Sequence, residues 1–263
     1  MTDEDKDSFK SEVAYKIYNS SVQRYPYAHS ETKDFLPSSL FEQILANWPQ
    51  SDDFKTNLES GSIKESDQLD KEHPYNFRYQ ICLTDDKEIS QIKEKRLTFW
   101  KNFTSILTSP QVIQALVALY SNNLLKRFKF SDPVDLFKKI NYIPRLHLLH
   151  DKTNYSLGPH TDNSGKVVVV LIYFESDKED NTQSSFGTSV YVPKEKGFLC
   201  KTGEHHLRDK FIRVYSAKFR KNNAFSFCRG DNSFHGVEKV QDKAVERKLL
   251  QYSLYGVLKK SEN

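Results

Sequence analysis

Leu157-Gly-Pro-His-Thr-Asp-Asn163 leads, after Ser164 and Gly165, into Lys166-Val-Val-Val-Val-Leu-Ile-Tyr-Phe174. The second piece is apolar from Val167 to Ile172 without alternation, the pattern of a strand covered on both faces. In the first piece, an extended backbone would point residues i and i+2 the same way, so His160 and Asp162 can reach one metal while Thr161 faces elsewhere. Gly158 and Pro159 supply a bend that sets the pair at a strand end.

Similar short β-rich runs separated by turns surround this segment. They are Ile140 to Leu149, Thr188 to Val192, Phe211 to Tyr215, Asn223 to Cys228 and Lys248 to Val257. Repeated short strands around a doubly covered one predict a sandwich or barrel, and the architecture expected is a jelly roll whose mouth holds a small ligand.

The first half reads differently. Pro37 to Trp48 puts Leu40, Phe41, Ile44, Leu45 and Trp48 on one helical stripe between Pro37-Ser38 and Pro49. The segments Asp85 to Phe103 and Pro110 to Phe128 predict two further helices covering a sheet, and Tyr75 to Leu83 alternates as an early strand. The expectation is a single α+β domain over 1–263, with a mainly helical support region over about 1–139 and a jelly roll, a double-stranded β-helix, over about 140–258. The N-terminal helices should pack against its major sheet.

Bulk properties narrow the partners. Net charge is +4 with both signs dispersed, so the basic footprint of a nucleic-acid binder is missing, and Lys126-Arg-Phe-Lys129 reads as the solvated end of a helix. The longest apolar runs fall short of the roughly 20 residues of a membrane span. The acidic, polar start lacks the pattern of a secretory signal, and Cys82, Cys200 and Cys228 have no paired spacing. A soluble, cytoplasmic protein with reduced thiols is expected.

Chemistry is concentrated in three places. His160 and Asp162 form a His-X-Asp pair, a spacing that chance supplies easily. His235 lies in Asp231-Asn-Ser-Phe-His-Gly-Val237, where Gly236 permits close backbone approach. Arg247 follows His235 by 12 residues. Two imidazoles and a carboxylate on one face of a metal, with the other positions open, is the arrangement of non-haem Fe(II) oxygenases. His205-His206 near Cys200 reads as a polar loop with exposed histidines.

Four ordered blocks, Gly158 to Val167, Phe186 to Pro193, Asn223 to Val237 and Arg247 to Tyr252, closely resemble the 2-oxoglutarate and Fe(II)-dependent oxygenases of the prolyl-hydroxylase-like superfamily. The resemblance covers Ile143 to Tyr255. It implies a double-stranded β-helix, His160, Asp162 and His235 as iron ligands, and Arg247 as the partner of the distal carboxylate of 2-oxoglutarate. It further implies Fe(II), 2-oxoglutarate and O2, with ascorbate as a possible reductant, hydroxylation of a small-molecule or peptide substrate, and release of succinate and CO2.

Leu249 departs from the small hydroxyl residue common two positions after the arginine. Lys248 is the substitute anchor to consider, although it alternates to the opposite face. Arg145, Tyr155, Arg229 and Asn232 are candidate substrate contacts or supports of the site, and Arg145 and Arg229 suit an anionic substrate. The competing reading is a metal-binding jelly roll with a hydrolytic or binding role and no oxygenase activity. The polar segment Glu175 to Ser185 reads as a hairpin connection or as a lid over the mouth. Substrate identity and oligomeric state are not legible in the sequence.

Overall fold

A computed structural model describes residues 1–56, 59, 78–152, 154–174, 186–239 and 247–259. Seven helices and eleven strands are present among these residues, and the strands form two antiparallel sheets. From β4 (Ile140–Asp151) onward, the chain crosses between the sheets at every step except β7 (Thr188–Pro193) to β8 (Phe211–Ser216), which are neighbours in one sheet. β4, β6 (Lys166–Tyr173), β9 (Ala224–Cys228) and β11 (Arg247–Leu258) lie in the major sheet. β5 (Leu157–His160), β7, β8 and β10 (His235–Val237) make the minor one. This winding is the jelly roll.

The helical first part also contributes strands. β1 (His29–Thr32), β2 (Lys55–Thr56) and β3 (Arg78–Cys82) extend the major sheet to the order β1-β9-β6-β11-β4-β3-β2. Of the expected early strand, Tyr75 and Phe77 lie outside the described residues, as does the whole of Glu175 to Ser185.

The doubly covered reading of β6 holds, because all of Val167 to Tyr173 is buried. On one face Val168, Val170 and Ile172 join the core under the helices; on the other Val169, Leu171 and Tyr173 face the minor sheet. α2 (Ser38–Ala46) buries Leu40, Phe41 and Ile44 in the helix-side core, whereas Leu45 turns outward. The 85–103 segment is split into α3 (Asp86–Ile89) and α4 (Glu94–Leu107). The 110–128 segment likewise divides into α5 (Pro110–Leu119), started by a Ser109 cap and Pro110, and α6 (Ser121–Phe128).

α1 (Asp3–Tyr18) is absent from the sequence reading, which took Met1 to Ser8 as merely polar. A capping box between Thr2 and Asp5 starts it, and Phe9, Val13, Ala14 and Ile17 form a narrow buried stripe. α7 (Pro133–Lys138), begun by an Asp132 cap, also went unread. Arg127 is no solvated helix end: it donates to the carbonyls of Ser164, Lys166 and Arg229, tying α6 to the loop that carries the His-X-Asp pair.

Cys82, Cys200 and Cys228 are free and buried. No described helix is long and apolar enough to cross a membrane. Trp100 is fully buried and donates its indole N–H to the Asn47 carbonyl at 2.8 Å. Trp100→Ala is therefore expected to cost about 3–5 kcal/mol in urea unfolding, as large aromatic truncations do; a loss under about 1 kcal/mol would contradict this packing.

Candidate active site

Strand pairing brings the three distant ligand candidates together. β5 pairs with β10, which sets His160 opposite His235, and the two rings lie 4.2 Å apart between centroids. Asp162 follows β5 with φ 67°, a left-handed conformation that aims its carboxylate back at the histidines. Side-chain atoms of His160, Asp162 and His235 all fall within 4.8 Å of one another.

Local hydrogen bonds set the histidines' tautomers. His160 Nδ1 lies 2.9 Å from the Gly158 carbonyl and His235 Nδ1 lies 2.9 Å from the Ser233 carbonyl. A carbonyl oxygen only accepts, so each Nδ1 carries a proton and each Nε2 is the ring nitrogen left to face a metal. Asp162 Oδ1 accepts from Lys166 Nζ at 2.6 Å, but buried Oδ2 has no hydrogen-bond partner and stands 3.3 Å from His235 Nε2. A buried carboxylate oxygen left without a hydrogen-bond partner beside two imidazoles is unfavourable unless a cation binds among them. The donor set therefore fits a divalent metal.

Electrostatics keep these groups ready to ligate. Burial, then His235 and His205, hold the His160 imidazole well below its usual pKa, so it is neutral at physiological pH. For Asp162 burial works towards protonation, but Lys166 and the two ligand imidazoles outweigh it and keep the carboxyl well below its usual range. Deprotonated ligands are what metal binding requires.

The triad lies in a cavity of about 150 Å³ between the sheets. At its far end Arg247, fully buried, gives Nη1 to Asp151 and Nε to the Phe186 carbonyl. Its Nη2 is buried without a partner. Asp151 also receives Arg78 through two bonds of 2.6 and 2.8 Å, so one carboxylate serves two guanidiniums and the pocket end retains positive charge. Leu249 and Thr188 line the same cavity.

The other sequence candidates separate. Tyr155 is in the cavity, with Arg78 stacked 4.3 Å over its ring. Arg145 is exposed on β4 and lies outside the lining of this cavity. Arg229, offered for an anionic substrate, is instead buried, its guanidinium shared among Asp231 and the carbonyls of Asp162, Cys200 and Lys201. It braces the strained Asp162 turn. Asn232 is exposed and bonds the Pro26 carbonyl, away from the site. Lys248 pairs in register with His150 on the helix side of β11.

No protein-family model matches the sequence, and no curated protein matches it. A prolyl hydroxylase from Trichoplax adhaerens, solved with a hypoxia inducible factor oxygen degradation domain peptide fragment, matches the structure with a TM-score of 0.51. Identity is 13%, over 96% of this chain and 91% of that chain. The fold is that of the 2-oxoglutarate and Fe(II)-dependent oxygenases. A 2OG-Fe(II) oxygenase family protein from Burkholderia pseudomallei gives a TM-score of 0.47 at 10% identity over 94% and 89% of the two chains. The epimerase SnoN, solved with Fe3+, alpha ketoglutarate and nogalamycin RO, gives 0.48 at 8% over 98% and 88%.

Within this oxygenase fold, several pocket residues had no signal in sequence. Asp151 and Arg78 become partners of Arg247 only through the β3–β4–β11 register. His205, read as exposed, is half-buried and stacks on His160 with centroids 4.6 Å apart. Gly236 must be glycine, since a Cβ there would lie 2.4 Å from the Leu157 carbonyl oxygen. Arg229→Met should leave the Asp162 turn unbraced and weaken divalent-metal binding by about 10–100-fold in calorimetry, the usual scale for supporting residues of a metal site; unchanged affinity would sink that role.

Proposed function

We propose that the protein is an Fe(II)- and 2-oxoglutarate-dependent dioxygenase that hydroxylates its substrate and releases succinate and CO2. The observation carrying this reading is one cavity with an unsatisfied His-Asp-His ligand set at one side and an unpartnered, buried Arg247 Nη2 at the other. Iron bound with 2-oxoglutarate and O2 would supply the power to oxidise an unactivated C–H bond. A hydrolytic or purely structural metal site has no use for the second feature.

The chain's own groups have definite tasks. His160, Asp162 and His235 hold the metal through two Nε2 atoms and Asp162 Oδ2. Lys166 bonds Oδ1 and so directs Oδ2 to the metal. Arg247 receives the distal carboxylate of 2-oxoglutarate through Nη2, the guanidinium nitrogen that has no partner, while Nε and Nη1 donate to the Phe186 carbonyl and Asp151.

Thr188 compensates for Leu249. The Tyr173 hydroxyl accepts from the Thr188 N–H at 3.1 Å and lies 2.8 Å from Thr188 Oγ1. When Tyr173 donates in that second contact, the Thr188 hydroxyl hydrogen is free for a carboxylate in the cavity. Leu249, Leu171 and Val169 exclude water around the reacting groups.

Ascorbate as reductant and a small-molecule or peptide substrate complete the reading; the Trichoplax relative was solved with a peptide fragment. Three buried, unpaired thiols suit a reducing cytoplasm. Arg247→Met is expected to weaken 2-oxoglutarate binding to the Mn(II)-loaded protein by about tenfold or more while metal affinity stays constant, the loss typical of a charge-assisted hydrogen bond. Unaltered 2-oxoglutarate affinity would remove Arg247 from the cosubstrate site. His235→Ala should abolish both metal binding and O2-dependent succinate formation.

A further inference from the structure

The inward face of the major sheet can be traced row by row, because directly opposed residues of antiparallel strands share a face. Arg247, Asp151 and Arg78 make the first row. Tyr173, Leu249, Leu149 and Gln80 make the second; Leu171, Gln251, His147 and Cys82 the third. Val169, Ser253 and Arg145 make the fourth. The first two rows are the cosubstrate end.

The later rows break the rule of an apolar interior. Gln251, His147, Ser253 and Arg145 occupy positions whose neighbours Leu149, Val169 and Leu171 belong to the core between the sheets. Gln251 lines the metal cavity and reaches Ser253 Oγ only at 3.4 Å. Interior polar groups on a wall leading to a cavity need a ligand or water as partner.

The charges that act on His147 are of one sign. After burial, the influences that push His147 down to about 4 are three cations, Lys166, Arg145 and Arg78. Lys166 has Asp162 as a partner and Arg78 has Asp151. Among the described residues Arg145 has no ion-pair partner, and it sits at the open end of the wall. A guanidinium there is a carboxylate receptor with a planar fork.

We propose that the substrate carries a carboxylate and that Arg145 receives it at the mouth, with His147 and Gln251 lining the path to the metal. This assignment rests on the oxygenase reading of the same cavity. Arg145 thus returns as a specificity residue outside the cavity itself.

The test uses Mn(II)-loaded protein saturated with 2-oxoglutarate, titrated in a calorimeter with matched acids and amides. The pairs are butanoate and hexanoate with their primary amides, free L-amino acids with amino-acid amides, and capped alanine peptides bearing Asp or Asn. In at least one pair the acid should bind about tenfold more tightly than its amide, the scale of a charge-assisted contact. The pair that discriminates tells a free acid from an acidic peptide. Arg145→Gln should erase the preference, Arg145→Lys should restore part of it, and 2-oxoglutarate affinity should be unchanged in both.

The proposal is overturned if no acid outbinds its amide, or if Arg145→Gln keeps the preference. Failure of wild-type protein to bind 2-oxoglutarate would instead defeat the oxygenase reading. The same pairs run on metal-free protein then still report whether Arg145 selects acids.

Discussion

Two imidazoles and a carboxylate are held against each other in a buried pocket. His235 Nε2 and Asp162 Oδ2 stand 3.3 Å apart, and Oδ2 has no hydrogen-bond partner. In a low-dielectric interior such a contact is costly without a cation. Much of the surrounding structure maintains it: the β5–β10 pairing that sets His160 against His235, the carbonyls that take each Nδ1 proton, and Arg229 under the left-handed Asp162 turn. Gly203 shares in this, since a Cβ there would lie 2.6 Å from the Asp162 carbonyl carbon.

Charge extends from that centre in two directions. Toward the far end, Arg247 and Arg78 share Asp151, so the pocket keeps a positive excess suited to one further carboxylate. Toward the mouth, Lys166 and Arg145 again place cations around neutral His147. A cavity so arranged has cations on both sides of the His160, Asp162 and His235 set, with apolar Leu171, Leu249 and Val169 lining the middle. The oxygenase fold supplies the frame, and these residues set the charge of its pocket.

Legibility in the sequence followed the range of the interactions. β6 was readable because burial on both faces leaves an unbroken apolar run, and His160 with Asp162 because their spacing is local, although β5 ends at His160 and a left-handed Asp162, not the expected extended backbone, turns the carboxylate to the histidines. His235 and Arg247 drew meaning from the order of four blocks. Arg145 and Arg229 looked alike as lone arginines, yet one is an exposed wall residue and the other a buried brace, a difference fixed by tertiary neighbours. Asp151 and Arg78 were silent because nothing local marks a residue as the partner of an arginine far along the chain. α1 was missed since its four buried residues are diluted by charge, although Thr2 and Asp5 do spell a capping box.

The most direct measurement is an anaerobic titration of the metal-free protein with Fe(II) and then 2-oxoglutarate, followed by visible absorption. Chelation of the keto acid by iron on the His160, Asp162 and His235 ligand set predicts a charge-transfer band that saturates at one equivalent and is absent in Asp162→Asn. A folded, iron-loaded protein that shows no such band on saturation with 2-oxoglutarate would contradict the account.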